Sequence, residues 1–526
     1  MSSAHSASHK RLWDTLKACQ HIQGTGWEML FNDDGSLINT AIHELPDDSC
    51  YPHPLLDFYR EYAKRLWNNE RTAFTPYGAT VPVVSNPAVI QIFQEQRVDL
   101  PSFTLAGARE RYRLSPQELI VGILAAGGPA PGVNTVIDSI VKRHSILATT
   151  DGATQREDGS IDHLTFWGQI GGYVGLTQDR KIELNVRITD RASLLGGCIL
   201  HMSRGETPQQ RANARSILIE EAQEQLADEM AQAVARHGLD ILYVIGGNGT
   251  ITAADHVCER LVNMNIVGRR GKPVRVIAAP KTMDNDVAFT DVTFGFRTTV
   301  GNAVDVINRL HSEAETCNRI AIVELFGAGS GFVALHASYA SGEVDYVLIP
   351  EMMSGGPRSS GKQTKAGAKC AKAEADRAAE RIADRFRKRG HAVLVVAEGA
   401  TARFDESLGQ FTQGDSAQKT AAFESLVSYI KEQLGDLLAP EAPPQVFTNQ
   451  PRHLIRSTAP DAADVDLCKQ TGKLMVDAAL SGMSRCVVSL WHGKFVLVPM
   501  KLAAALKHVD VSGYYYLSMM EKYLVR

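Results

Sequence analysis

Thr282, Asp284 and Asp286 occupy alternate positions in the run Pro280-Lys281-Thr282-Met283-Asp284-Asn285-Asp286. The apolar residues 274–279 before them read as a buried strand that Pro280 ends. If the segment stays extended, side chains two apart share a face, so a hydroxyl and two carboxylates converge at the strand's carboxyl end. That set suits deprotonation of a hydroxyl and binding of Mg²⁺. In open α/β sheets the carboxyl ends of the strands are also where ligands bind.

Two glycine-rich segments are placed to handle an anion. GGPAPGVN at 127–134 joins a strand-like run, 119–124, to a helical pattern over 133–141. GGNGT at 246–250 follows the strand-like run 242–245 and opens another helix, with Thr250 as its expected N-cap. Glycines let the backbone approach an anion, and a helix N-terminus supplies N–H groups and positive dipole. Each loop alone is also compatible with an ordinary strand–helix turn; two together favour a phosphate cradle. The sequence lacks GxxxxGK[ST], which excludes a P-loop. It also lacks GxGxxG with a suitably spaced acid, which argues against a dinucleotide site.

The elements that carry these motifs alternate. Strand-like runs recur at 241–245, 274–279, 320–325, 344–349 and 393–397, mostly separated by helical segments such as 216–237. This predicts an α/β protein with mainly parallel sheets covered by helices. At 526 residues the chain exceeds one ordinary core. Residues 362–389 read as a solvated helix, 405–444 as a peripheral helix and loop, and 1–117 as an N-terminal packing or assembly extension with a helix over 56–69. A net charge of −4 gives no nucleic-acid or membrane signature, and none of the eight cysteines forms a CxxC pair. The expectation is a cytoplasmic enzyme.

At the level of ordered motifs the chain resembles the phosphofructokinases, in particular the long forms of trypanosomatids and plants that use ATP. The resemblance covers about residues 118–515 and rests on GGPAPGVN at 127–134, GGCILHMSRG at 196–205, GGNGT at 246–250, PKTMDND at 280–286, FGFRTTVG at 294–301, VELFGAGSGF at 323–332, PE at 350–351, AEG at 397–399 and RHLIR at 452–456. It implies two doubly wound α/β lobes with the active site in the cleft between them. Residues 118–298 with about 457–488 would bind the donor phosphates, and 299–456 with about 489–526 the sugar phosphate. Asp284 would be the general base that takes a proton from the sugar hydroxyl, with Thr282 and Lys281 beside it. Gly128, Arg204, Gly247, Asn248, Gly249 and Thr250 would contact the donor. Thr282, Asp284, Asp286, Arg319, Glu398, His453 and Arg456 would bind fructose 6-phosphate, Arg319 by reaching across a subunit interface. A homodimer or homotetramer follows, with Mg²⁺ and either ATP or pyrophosphate as donor.

Three positions depart from the family's pattern. Asn248 replaces a metal-associated aspartate, Ala328 replaces the arginine of a Met-Gly-Arg motif, and His453 stands where related long forms usually carry Tyr. Gly249 leaves room for the nucleotide α-phosphate and favours ATP, while Lys281 is compatible with both donors. The alternatives are a pyrophosphate-dependent enzyme, a weakly catalytic regulatory member that binds sugar phosphate, and a kinase for another sugar phosphate.

Overall fold

The computed structural model describes residues 3–19, 27–32, 34, 36–44, 50–67, 74–203, 205–354, 365–408, 416–438 and 444–521. The strands that build its two main sheets are, in chain order, β1 (Thr80–Pro82), β2 (Ser102–Leu105), β3 (Ile120–Ala125), β4 (Thr165–Gln169), β5 (Lys181–Leu184), β6 (Ile241–Gly246), β7 (Arg275–Pro280), β8 (Ile320–Leu325), β9 (Tyr346–Leu348), β10 (Ala392–Ala397), β11 (Val446–Asn449), β12 (Cys486–Trp491) and β13 (Lys494–Pro499). The helices used below are α1 (Val133–Thr150), α2 (Ile219–His237), α3 (Asn248–Asn263), α4 (Phe296–Cys317), α5 (Phe332–Ser341), α6 (Lys365–Arg389), α7 (Glu398–Ser407), α8 (Ser416–Leu438) and α9 (Ala462–Leu480). The chain divides into two compact units. One comprises Met1–Lys281, Val287–Val292 and Val465–Ala505, and the other Thr282–Asp286, Thr293–Asp464 and Leu506–Arg526.

In the first unit the strand order is β1-β2-β13-β12-β7-β6-β3-β4-β5. The central strands β12, β7, β6, β3 and β4 run parallel, and antiparallel strands flank them on both sides. β6 and β7 are buried at every residue, which explains why they are almost wholly apolar, Arg275 at the start of β7 being the charged exception: a parallel sheet covered on both faces has no polar side to alternate with. From β3 the chain proceeds to β4 on one side, and from β6 to β7 on the other. The carboxyl ends of β3 and β6 therefore flank a topological switch point, the usual ligand crevice of such sheets.

The N-terminal segment is part of this unit. β2 pairs with β13, and Tyr112 donates to Asp477 at 2.8 Å while Arg143 binds the same carboxylate through Nε and Nη2. The hairpin β12–β13 also corrects the expected boundary. Residues 489–505 belong to the unit of the large sheet instead of the sugar-phosphate lobe, because every residue of β13 has a partner on β12.

The second unit holds a parallel sheet in the order β9-β10-β8-β11. β8 and β10 are neighbours whose outgoing chains leave in opposite directions along the sheet, β8 towards β9 and β10 towards β11, giving this unit its own switch point. Two expectations change here. α6 is not simply solvated: Ala371, Ala375, Ala378, Ala379, Ile382 and Ala383 form a fully buried stripe at helical spacing. Nor is the 405–444 region merely peripheral, since α8 contributes Phe423, Leu426, Val427, Ile430 and Leu434 to the same core.

Candidate active site

The first unit's candidate residues lie at its switch point. Gly127 and Gly128 follow β3, and Gly132, with φ of 95°, is the residue before α1. Such a positive φ is costly for a residue with a Cβ. After β6, helix α3 begins at Asn248 with Gly247 as its N-cap and no side-chain cap bond. Thr250 is therefore not the N-cap that the sequence suggested. It lies in the first turn, where its N–H donates to Gly247 O at 2.9 Å. The earlier start places the Asn248 and Gly249 N–H groups among those that a helix leaves without intrahelical acceptors. Gly246 and Gly249 differ in kind. A Cβ on Gly246 would stand 2.3 Å from the Thr250 side chain, whereas one on Gly249 would meet nothing within 4 Å. Packing explains the first glycine and not the second.

Lys281 ends this unit's first segment. It is buried, and its Nζ donates to Gly128 O at 2.7 Å, holding an ammonium against the first glycine loop. Arg204 lies outside the described residues, but its neighbours are ordered around that loop. Gly127 N donates to Ser203 O, Ser203 Oγ donates to Gly171 O, and Tyr173 OH donates to Thr250 O at 3.0 Å. Sequence reasoning missed this brace. The Gly171-Gly172-Tyr173 turn was its only visible signal, and the strand before it, TFWGQ, lacks a clean apolar pattern.

The second unit gathers the acidic residues. The Thr282–Asp286 segment does not stay extended: Asn285 takes φ of 54°, and Asp284 N donates to Thr282 Oγ1 at 3.1 Å. The alternation survives in burial, however. Met283 and Asn285 are buried, while Thr282, Asp284 and Asp286 retain partial exposure. Asn285 Oδ1 accepts from Thr293 N at 3.0 Å, and Thr293 Oγ1 donates to Thr282 O at 2.6 Å. Ser330 Oγ, in the loop after β8, donates to Asp284 O at 3.0 Å, and Lys507 N donates to Asp286 O at 2.8 Å. The carboxylates are thus fixed through their backbone at the unit's own switch point.

Glu398 opens α7 directly after β10 and forms an ion pair with Lys419 of α8. Gly399 N donates to Gly327 O at 2.8 Å, and a Cβ on Gly399 would lie 2.4 Å from Ala328 O. Only glycine allows the α7 start to approach the loop after β8 this closely. Behind the loop, Glu324 accepts from Gln450 at 2.6 Å and Thr401 at 3.1 Å and pairs with Arg452 at 3.3 Å. Burial nevertheless raises its pKa, partly offset by Arg452. His453 and Arg456 share a single helical turn. Their Nδ1 and Nη2 are 3.2 Å apart, and the Arg456 guanidinium lies 4.9 Å from the centre of the Phe326 ring.

Arg319 is separate from this group. It precedes β8 and pairs with Glu313 at 3.3 Å, at the opposite end of the strand from Phe326. Six residues at about 3.3 Å each put about 20 Å of strand between them.

The phosphofructokinase family pattern matches residues 120–479. The chain belongs to the phosphofructokinase family. The ATP-dependent 6-phosphofructokinase of Amycolatopsis methanolica is 30% identical over 430 residues, covering 81% of this chain and 83% of that protein. The ATP-dependent 6-phosphofructokinase of Trypanosoma brucei brucei is 28% identical, covering 88% and 83%, and the ATP-dependent 6-phosphofructokinase 1 of Arabidopsis thaliana is 28% identical, covering 87% and 83%. Among solved structures, a pyrophosphate-dependent phosphofructokinase from Marinobacter aquaeolei superposes with a TM-score of 0.55 at 16% identity, covering 75% of this chain and 86% of that one. At that identity the likeness is one of fold.

Proposed function

We propose that this phosphofructokinase transfers the terminal phosphoryl group of ATP to O1 of fructose 6-phosphate, giving fructose 1,6-bisphosphate and ADP. The observation that carries the reading is the fixed Thr282–Asp286 segment, whose family motif is intact and whose residues Thr282, Asp284 and Asp286 are each only partly buried. Asp284 accepts the proton of the attacking hydroxyl as the O–P bond forms, and ADP leaves in line. Glu398, His453 and Arg456 bind the sugar phosphate.

The donor reading rests on Gly249. Open space beside it accommodates a nucleotide α-phosphate, in keeping with the ATP-dependent names of the relatives. Helix N-termini and the Lys281 ammonium favour the donor's negative charge. Mg²⁺ takes oxygen ligands and is usually bound by one or two protein groups plus substrate phosphates. Asn248, the first residue of α3, offers an amide oxygen, so the available ligand fits. The ion would neutralise charge on the donor phosphates.

Arg319 supports a homo-oligomer, dimer or tetramer. It lies about a strand's length from the residues after β8, which supports a role towards a second copy of the chain over one towards its own acceptor group.

The test is fructose 1,6-bisphosphate formation by the purified protein with Mg²⁺ and fructose 6-phosphate, comparing ATP with pyrophosphate. Turnover with ATP is expected. Turnover with pyrophosphate alone would overturn the donor assignment, and turnover with neither would overturn the reaction.

A further inference from the structure

The two groups that hold the acidic segment by its backbone are themselves held by one buried carboxylate. Asp284 O accepts from Ser330 Oγ at 3.0 Å, and Asp286 O accepts from Lys507 N at 2.8 Å. These donors come from stretches far apart in sequence, the loop after β8 and the C-terminal segment. Glu351, three residues beyond β9, joins the two. Its Oε1 accepts from Gly331 N at 3.0 Å and from Val509 N at 2.9 Å. His508 Nδ1, 3.0 Å from Gly329 O, adds a direct tie between the same stretches. Glu351 is buried, and its Oε2 has no hydrogen-bond partner among the described residues. A buried carboxylate is costly unless it is hydrogen-bonded, and here one oxygen takes both bonds. Backbone N–H groups on a charged oxygen make bonds roughly twice as strong as neutral ones.

We infer that Glu351 is a positioning residue for phosphoryl transfer: it locks the loop after β8 to the C-terminal segment and so fixes the backbone of Asp284 and Asp286 from two sides. The role rests on the phosphofructokinase reading, in which Asp284 takes the proton of the sugar hydroxyl. Glu351 acts through its partners' chain neighbours. Ser330 directly precedes Gly331, and Lys507 lies two residues before Val509. A general base must lie within hydrogen-bond reach of the proton it takes. A displacement of about 1 Å, caused by a change away from the chemistry, can cost about 100-fold in rate.

The test compares wild type with Glu351→Ala, Glu351→Gln and Ser330→Ala. It uses steady-state kinetics with ATP, Mg²⁺ and fructose 6-phosphate, calorimetric titration of fructose 6-phosphate, and thermal unfolding to give the folded fraction at the assay temperature. Glu351→Ala should lower kcat by about 100-fold, with sugar-phosphate binding changed much less. Glu351→Gln keeps an oxygen for the two N–H groups and puts its nitrogen where Oε2 bonds nothing, so it should retain most of the rate. Ser330→Ala removes only the bond to Asp284 O and should lower kcat by up to about tenfold, the scale of one hydrogen bond. A folded Glu351→Ala enzyme with wild-type kcat overturns the inference. So does a fall in kcat that only matches the fall in folded fraction, or a Glu351→Gln enzyme as impaired as Glu351→Ala, because the residue would then be only structural. If Glu351→Ala does not fold, Ser330→Ala decides, and wild-type kcat there overturns the inference. A wild-type protein that neither binds nor phosphorylates fructose 6-phosphate overturns the underlying function and this role with it.

Discussion

The two switch points solve the same problem with different materials. At the carboxyl ends of β3 and β6 the proposed chemistry is carried mainly by backbone: glycine turns, two helix N-termini and one lysine aimed at a loop carbonyl. At the carboxyl ends of β8 and β10 it is carried by side chains, with Glu324 joining Thr401, Gln450 and Arg452 behind the loop and Glu398 joining Lys419 in front. A backbone cradle tolerates changes of side chain and is sensitive to added bulk or charge. A side-chain network fails when one member is removed.

The largest effect should follow from removing Glu324. Deleting one partner of a buried ion pair typically costs about 3–5 kcal/mol, and here it also takes a partner from both Gln450 and Arg452. Glu324→Ala should lower the unfolding free energy by that order in denaturant titration. Glu324→Gln, which keeps the shape, should lose less. A Glu324→Gln protein of wild-type stability would show that the charge is immaterial, and a Glu324→Ala protein of wild-type stability would remove the contrast.

Gly249→Asp probes the backbone cradle. A Cβ there meets nothing within 4 Å, so the fold should accept it with an unchanged melting temperature. The new carboxylate would face the nucleotide, and like-charge juxtaposition costs several kcal/mol, so kcat/KM for ATP should fall by about 100-fold or more. Kinetics with ATP and pyrophosphate measure this directly; an unchanged kcat/KM for ATP would remove Gly249 from the donor site.

The smallest effect is a difference in acid response. In the first unit His53 and His144 are buried, and burial lowers each from 6.5 to about 3. Between those values the unfolded chain binds more protons, so the first unit loses stability as pH falls below about 6.5. In the second unit burial raises Glu324, Glu351 and Asp464 above their ordinary values. Here the folded state binds more protons, so stability increases as pH falls through the raised values. Hydrogen exchange at pH 7 and pH 5 should show protection falling first around β3 and β6. Earlier loss around β8 and β10 would reverse the assignment.

What the sequence made legible follows the same division. Ile320–Leu325 was readable to the residue because a buried parallel strand is an apolar run, here interrupted only by Glu324. Both glycine loops were readable because strand–glycine–helix is a local pattern. Asn285's left-handed backbone was not, since it depends on Thr293, eight residues away. The buried face of α6 was obscured because alanines among many charges carry little hydrophobic signal. β2 joins the large sheet through β13, about three-quarters of the chain length away. Lys419 was invisible for the same reason: only the packing of α8 against α7 brings it to Glu398. Local chemistry could be read, and long-range assembly could not.

The central claim is that Asp284 activates the sugar hydroxyl. The most direct test is Asp284→Asn, assayed for fructose 1,6-bisphosphate formation with ATP and titrated with fructose 6-phosphate. The account predicts a fall in kcat of roughly a hundred- to ten-thousand-fold with sugar-phosphate binding retained. A variant that keeps the wild-type kcat would contradict it.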